Sequence, residues 1–594
     1  MKEILIFLTC LIGLCKAEAP DGASVQDPAP RMMIGNGAYE QQLRRQLIEA
    51  RLNPQTPAGN YLAARFAQRH HDWKAAAGYV NQIAKQMPED LNIQKRAMVL
   101  AMGAGAHEKA VTIAKQVIKS EPENALAAMF VAMEAFQAED FNTASKIVRD
   151  LPDGSFSSFI TPLLHSWAQA SIGIFDTGRL QNNAIHIYHG ILIADLLGQD
   201  EAVSTLLAGA LKMQNMTTLD LERIGDVYAH IDAIQDARNI YTKILELDPE
   251  NISVEEKLAT LDTADRSDMF EAVDNAAQGM ARTMFDMARL LYSDYSDESA
   301  KIFGQMALYL NPAMPEARLL LGSIAARNGQ PDLAIAHFDG IGATDKHYFE
   351  ARRKAADLLE EQGRTEDALV ELQALVTTHD DTDALLQIGD VYRRAEDFKK
   401  AVQAYSKVEK KFDGDVPEEF WQLYYVRGMS YEQLDKWDKA EKDLLKALEY
   451  YPEHPFVLNY LGYSWADQGV HLARAQEMIR KAVALRPQDG YITDSLGWVL
   501  YRLGKYEEAI PHLERAVELL PYDPIINDHL GDAYWQVGRR REARFQWTRA
   551  KNHGDEEEML ATIADKMVNG VVVVPLEAAT AQGLDAPAIE EALD

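Results

Sequence analysis

His186 and His189 are well spaced for chemistry: three apart in a stretch that reads as helix, they would share one face and could ligate a metal ion together. A closed site needs more ligands, and neither a carboxylate nor a third histidine lies close by in sequence, so packing or exposure is the simpler expectation. His70-His71-Asp72 reads as a solvated turn, since adjacent residues on a helix cannot face one site. No Gly-x-Ser-x-Gly elbow, His-Glu-x-x-His zinc helix, Gly-Lys-Ser/Thr phosphate loop or Gly-x-Gly-x-x-Gly fingerprint occurs. The expectation is a non-enzyme, with no metal and no cofactor.

Thiol chemistry is set by the first residues. Lys2, the apolar run Ile4 to Cys15 and the small-x-small triplet Ala17-Glu18-Ala19 together have the form of a signal peptide, too short to span a bilayer. Cleavage after Ala19 would export the chain to the periplasm. It would also remove Cys10 and Cys15, the protein's two cysteines, leaving no disulfide and no thiol ligand. The alternative is an outer-membrane lipoprotein anchored through Cys15, against which stands Leu14 where a small residue belongs.

The formal net charge is -31. Such a surface repels phosphate backbones and anionic lipid heads, which argues against nucleic acid and against direct electrostatic membrane binding. Its simplest role is solubility, with attraction of basic partners as the sharper alternative.

The elements that must position any site are clearest from Pro455 to Asn552. Leu461-Gly462, Leu496-Gly497 and Leu530-Gly531 repeat at Gly spacings of 35 and 34 residues. Each Gly is followed by an Ala (Ala475, Ala509, Ala543), then a bulky residue four further on (Ile479, Leu513, Trp547), then Ala482, Ala516 or Ala550. Small residues at helical spacing allow two antiparallel helices to approach, and the large ones fill around the contact. Pro487 and Pro521 cannot continue a second helix and so close the first two units. One such hairpin cannot cover its own apolar face and must stack on neighbours.

This pattern resembles the tetratricopeptide (TPR) family, whose 34-residue helix-turn-helix has small residues where its helices cross. The resemblance implies an all-α, right-handed α-solenoid of about 13 hairpins, some degenerate, over nearly the whole mature chain. Residues 1–19 would be the signal peptide and 20–36 a disordered lead. N-terminal repeats would occupy 37–250, with a helix near Ala38 to Leu52 and an irregular unit around Asp176-Thr177-Gly178. An inserted helical segment would fill 251–279, where Gly225 and the next phased position, Ala288, stand 63 residues apart. Middle repeats would span 280–415 and the C-terminal block 416–554. A capping helix and acidic tail would fill 555–594, including the β-prone run Val571 to Val574.

In TPR proteins the first helix of each hairpin lines the concave face. Carried onto this chain, the inward positions are Asn459, Tyr463 and Asp467, then Asp494, Trp498, Tyr501 and Arg502, then Asp528, Asp532 and Trp535. Aromatic area combined with acidic acceptors suits a segment bearing basic and apolar residues. The plainer alternative is that Trp498 and Trp535 fill between adjacent helices. Clamps for a peptide's C-terminal carboxylate use Lys and Asn at the first two inward positions. Here those pairs are Asn459 with Tyr463, Asp494 with Trp498 and Asp528 with Asp532, so no cationic clamp is expected.

With its signal and many hairpins, the chain is similar to large exported TPR proteins of the Gram-negative envelope. The resemblance implies a non-catalytic scaffold that binds protein or peptide partners in its groove, docking a protease or a peptidoglycan-modifying enzyme. A periplasmic chaperone or carrier for envelope proteins is the alternative.

Overall fold

The computed structural model describes residues 56–151, 157–213, 216–248, 251–263, 270 and 272–571. The signal peptide, the lead at 20–36, the expected helix at 38–52, Val572 to Val574 and the acidic tail lie outside the described residues. Those described form 29 α-helices, packed mainly as consecutive antiparallel pairs, which is a TPR-type α-solenoid. By contacts the chain divides into an N-terminal unit ending at Glu371 and a C-terminal unit beginning at Leu372.

The N-terminal unit opens with three hairpins: α1 (Pro57–Arg69) with α2 (Trp73–Gln86), α3 (Leu91–Gly103) with α4 (His107–Ser120), and α5 (Ala125–Gln137) with α6 (Phe141–Arg149). Then come α7 (Ser157–Ala170), α8 (Ala184–Leu196), α9 (Asp200–Ala210), α10 (Thr218–His230), α11 (Ile234–Leu247) and the short α12 (Ile252–Thr260). The unit continues with α13 (Ala276–Ser293), α14 (Asp297–Leu310), α15 (Pro315–Arg327), α16 (Pro331–Asp339) and α17 (Tyr348–Glu361). The division falls within α18 (Thr365–His379).

In the C-terminal unit, α19 (Thr382–Arg394) pairs with α20 (Phe398–Lys411) and α21 (Trp421–Glu432) with α22 (Trp437–Tyr450). Then α23 (Pro455–Gln468) pairs with α24 (Leu472–Leu485), α25 (Gly490–Arg502) with α26 (Tyr506–Leu519), and α27 (Pro524–Gln536) with α28 (Arg540–His553). A single helix, α29 (Glu557–Asn569), follows.

Local chemistry explains the boundaries. Asp90, Asn124, Asp381, Asp489 and Asp523 accept from first-turn amides at the starts of α3, α5, α19, α25 and α27. In the C-terminal hairpins a template glycine meets the second helix. A Cβ on Gly497 would stand 2.5 Å from Leu513, and one on Gly531 would stand 2.5 Å from Trp547. That is the close approach the Gly and bulky pattern anticipates.

One hairpin of the N-terminal unit packs differently. Every residue of α14 from Ser299 to Leu310 is buried, so this helix is covered on all sides. Besides its partner α13 it packs on α3 and α5, the first helices of early hairpins, while α13 packs on α7 and α8. Polar tethers span long stretches of chain: His107 Nε2 lies 3.0 Å from Gln305 Oε1, Gln137 donates to the Tyr309 carbonyl at 3.1 Å, and Gln330 donates to the His71 carbonyl at 2.9 Å. The α13–α14 hairpin therefore fills the first-helix face of the opening repeats, and one continuous apolar core runs from Ala64 to Ile324.

Candidate partner-binding face of the C-terminal unit

In the C-terminal unit α23 packs on α25 and α25 on α27, so successive first helices form one surface. Asn459 and Tyr463 are half-buried on α23, and burial, then Asp467 and Asp494, push the Tyr463 hydroxyl up to about 12. Asp467 is exposed and meets Arg502 of α25, whose guanidinium donates to its carboxylate at 2.6 Å and to its main-chain oxygen at 2.8 Å.

Asp494 is buried and stands 2.9 Å from His529 Nδ1 of the next first helix. Burial alone would push that imidazole down, but Asp494, joined by Asp528 and Asp532, raises it and favours the imidazolium. Trp498 stacks on His529 at 4.0 Å and on Tyr501 at 4.9 Å, with interplanar angles of 16° and 11°. Three rings thus bridge α25 and α27, and Trp498 stands between adjacent helices. Tyr501 is buried, and burial with Asp532 raises its hydroxyl above the ordinary tyrosine range.

At the last hairpin α29 lies against this face. Its Lys566 donates to Asp528 at 2.6 Å and to Asp532 at 2.8 Å. Asp532 also accepts from Trp547 Nε1 at 2.9 Å. Burial and Asp528 push Asp532 up to about 6 despite the ammonium. Trp535 is held under Arg540 at 3.7 Å and beside Trp547 at 5.3 Å. Gly570 sits so close that a Cβ there would stand 1.9 Å from the Trp535 ring. Residues 566–570 thus cover the inward positions of α27.

Each acidic candidate therefore has a cation of this chain beside it: Asp467 with Arg502, Asp494 with His529, and Asp528 and Asp532 with Lys566. Yet one oxygen at each template position three before the glycine, namely Asn459 Oδ1, Asp494 Oδ1 and Asp528 Oδ1, is buried with no hydrogen-bond partner among the described residues, as is Trp498 Nε1. The residues the sequence reading missed are His529 and Lys566. Lys566 carries a legible signal, since it is the single cation in α29 among Glu557, Glu558 and Asp565.

The two spaced histidines part company. His186 is buried, is pushed down to about 4 by burial and by His189, and accepts from the Gln181 amide at 2.9 Å. His189 accepts from Trp167 Nε1 at 3.1 Å, which leaves its proton on Nε2, 3.2 Å from Asp286. Asp286 is paired with Arg223 at 2.5 Å. Burial alone would raise that carboxyl, but Arg223 and His189 hold it far below the usual range. Asp286 lies on α13, which is why no neighbour in sequence announced it. Among the described residues no group of three or more His, Cys, Asp and Glu side chains could hold a metal, and no helix is long and apolar enough to cross a membrane.

Comparison with known proteins agrees with the hairpin geometry. TPR repeat models match residues 497–538, and tetratricopeptide repeat models match 421–454, 290–347 and 353–416. The TPR repeat-containing protein PA4667 of Pseudomonas aeruginosa is 28% identical over 201 residues, 34% of this chain and 33% of that protein. BBSome complex member BBS4 of Bos taurus is 30% identical over 115 residues, 19% of this chain and 21% of that one. The chain thus matches a third or less of the length of these relatives. A tetratricopeptide repeat protein from Parabacteroides merdae, 15% identical, covers 43% of this chain and 99% of its own, with a TM-score of 0.34. The matched segments and the paired helices that carry them identify TPR repeats in this chain.

Proposed function

We propose that the protein is a non-catalytic scaffold of the bacterial envelope that holds a partner protein on the first-helix face of its C-terminal unit. The observation that carries this reading is the series of open acceptors at Asn459, Asp494 and Asp528. One side-chain oxygen of each recurs at one template position in three consecutive hairpins, buried and without a partner among the described residues, the last of them beneath α29. An unpaired buried acceptor costs about 1–3 kcal/mol, a cost removed when a bound segment supplies donors. Because the flanking carboxylates already have cations, the segment needs only a series of N–H donors, basic or backbone, with apolar groups against Tyr463 and Trp498. A folded envelope enzyme, such as a protease or a peptidoglycan-modifying enzyme, is the class of partner that fits an exported scaffold.

The test places a photo-crosslinking residue at Tyr463, with a second at exposed Glu508 on α26 as control, in cells that make the full chain. One discrete adduct at 463, missing at 508 and reduced roughly tenfold by Asp494→Asn, is expected. A smear of many clients would favour a chaperone or carrier, and background alone at both positions would reject the scaffold. Export is tested by the mass of the mature chain: a start at Pro20 supports it, and a lipid-modified start at Cys15 supports the anchored form.

A further inference from the structure

A cleft of about 670 Å³ opens in the N-terminal unit among α4, α14, α15 and α16. Its floor includes the first turn of α4, residues His107, Glu108 and Lys109. That helix begins at Ala106, which has no side chain able to cap it, so these amides lack the usual side-chain acceptor. His107 is occupied by Gln305, leaving the backbone amides and the Lys109 ammonium as donors on this side.

Beside the helix terminus stands Tyr309 of α14, whose ring packs edge-on against His107 with centroids 5.4 Å apart. It is 3% exposed, and its hydroxyl is buried with no partner among the described residues. Arg318 also lines the cleft and donates to the Pro312 carbonyl at 2.9 Å, with no carboxylate partner among the described residues. His337 completes the wall, and burial, Lys301 and Arg318 push it down to about 4, so its ring is neutral and able to donate. Behind it Lys301 is 7% exposed and also unpaired with any described carboxylate; burial lowers it to about 8, against the pull of Asp72. Opposing these, Glu108 sits exposed at the rim, and nearby Glu134 is neutralised by Lys115 at 2.5 Å. A second cleft of about 380 Å³ makes the contrast, for its Arg282 and Glu316 pair with each other at 3.0 Å.

We propose that the larger cleft binds a small oxyanion, a phosphate- or carboxylate-bearing molecule held by the first-turn amides of α4, the Arg318 guanidinium and the Tyr309 hydroxyl. Helix N-termini and arginine are the usual donors for such groups. Arg318 has no carboxylate partner among the described residues, while Lys301 lies over the Trp73 ring at 5.7 Å and adds positive potential near the cleft. A cleft of this size accommodates a metabolite-sized ligand.

The experiment titrates the full chain with inorganic phosphate at fixed ionic strength, followed by calorimetry and by the His337 ring resonance, with acetate in a parallel arm. Saturable binding of either anion, accompanied by a His337 shift, is expected. Arg318→Gln should weaken it roughly ten- to a hundredfold and Tyr309→Phe by a smaller factor, at unchanged helical content. Exposed Lys212→Gln serves as a control and should change nothing. Preference for phosphate or for acetate identifies the ligand's acid group. Non-saturating heats in both arms, or equal affinity in wild type and Arg318→Gln, would overturn the site.

Discussion

The two units use one repeat for opposite ends. In the N-terminal unit the first-helix face is consumed by the chain itself, because α13 and α14 lie on it. In the C-terminal unit the equivalent face keeps buried acceptors without partners, and among the described residues it is covered at its end alone, by α29. The difference is written in side-chain type. The first helix α5 buries Leu126, Met129, Phe130, Met133 and Phe136, apolar around most of its circumference, so it needs cover on two sides. The corresponding helices α25 and α27 carry Asp494, Trp498, Asp528 and Asp532 on that face, which suits a polar and exchangeable occupant.

Breaking the comparison most forcefully means unseating the internal hairpin. Asp286→Asn removes the carboxylate that ties α13 to Arg223 on α10 and to His189 on α8, and takes from a buried guanidinium the charge that it pairs with at 2.5 Å. The expected cost is about 3–5 kcal/mol. It should appear in denaturant unfolding as an earlier transition reported by Trp167, while the environment of Trp547 holds. A shift below ~1 kcal/mol would mean that apolar packing alone seats the hairpin.

The same reporters sharpen the contrast through pH, because the local signs are opposite. Asp286 is held low and His189 is also lowered, so their contributions are present above the unfolded values, ~4 and ~6.5, and are lost as pH falls through the folded ones. Asp532 is raised to about 6, so its contribution is present below the unfolded value of ~3.9 and lost as pH rises through about 6. Trp547, which donates to Asp532, should therefore show a fluorescence titration near pH 6 that disappears in Trp547→Phe. Lys566→Met removes the ammonium that lowers Asp532, and should move that midpoint upward. An unmoved midpoint would detach Lys566 from the acidic pair.

Much of this architecture is legible in the sequence, and the part that is not has a physical reason. Gly497 with Leu513 and Gly531 with Trp547 announced the hairpins because close approach constrains residue size at fixed spacing. The cover over α3 and α5 was not legible. Periodicity reports which face of a helix is apolar but not which distant segment lies on it, and Asp286 and His189 lie about a hundred residues apart. The inward positions of the C-terminal block follow from the repeat, yet their pairing with His529 and Lys566 depends on neighbouring helices. The template thus located the face and left its electrostatic state to be decided by residues outside it.

The smallest expected effect tests whether that face is open. Asp467 is 57% exposed at its side chain and pairs directly with Arg502 at 2.6 Å, linking α23 to α25 at the surface. Exposed pairs contribute about 0–1 kcal/mol because solvent screens them and two side chains lose freedom. Arg502 also keeps its bond to the Asp467 main-chain oxygen, which no substitution of the side chain removes. Asp467→Asn should accordingly shift stability by less than ~0.5 kcal/mol, and added salt should erase even that. Set beside Asp286→Asn, the pair measures how far the two faces differ in dielectric surroundings. A loss above ~2 kcal/mol at Asp467 would mean that the α23–α25 surface is closed from water much as the α13 contact is, and the acceptors at Asn459 and Asp494 would then be core groups rather than a place for a partner.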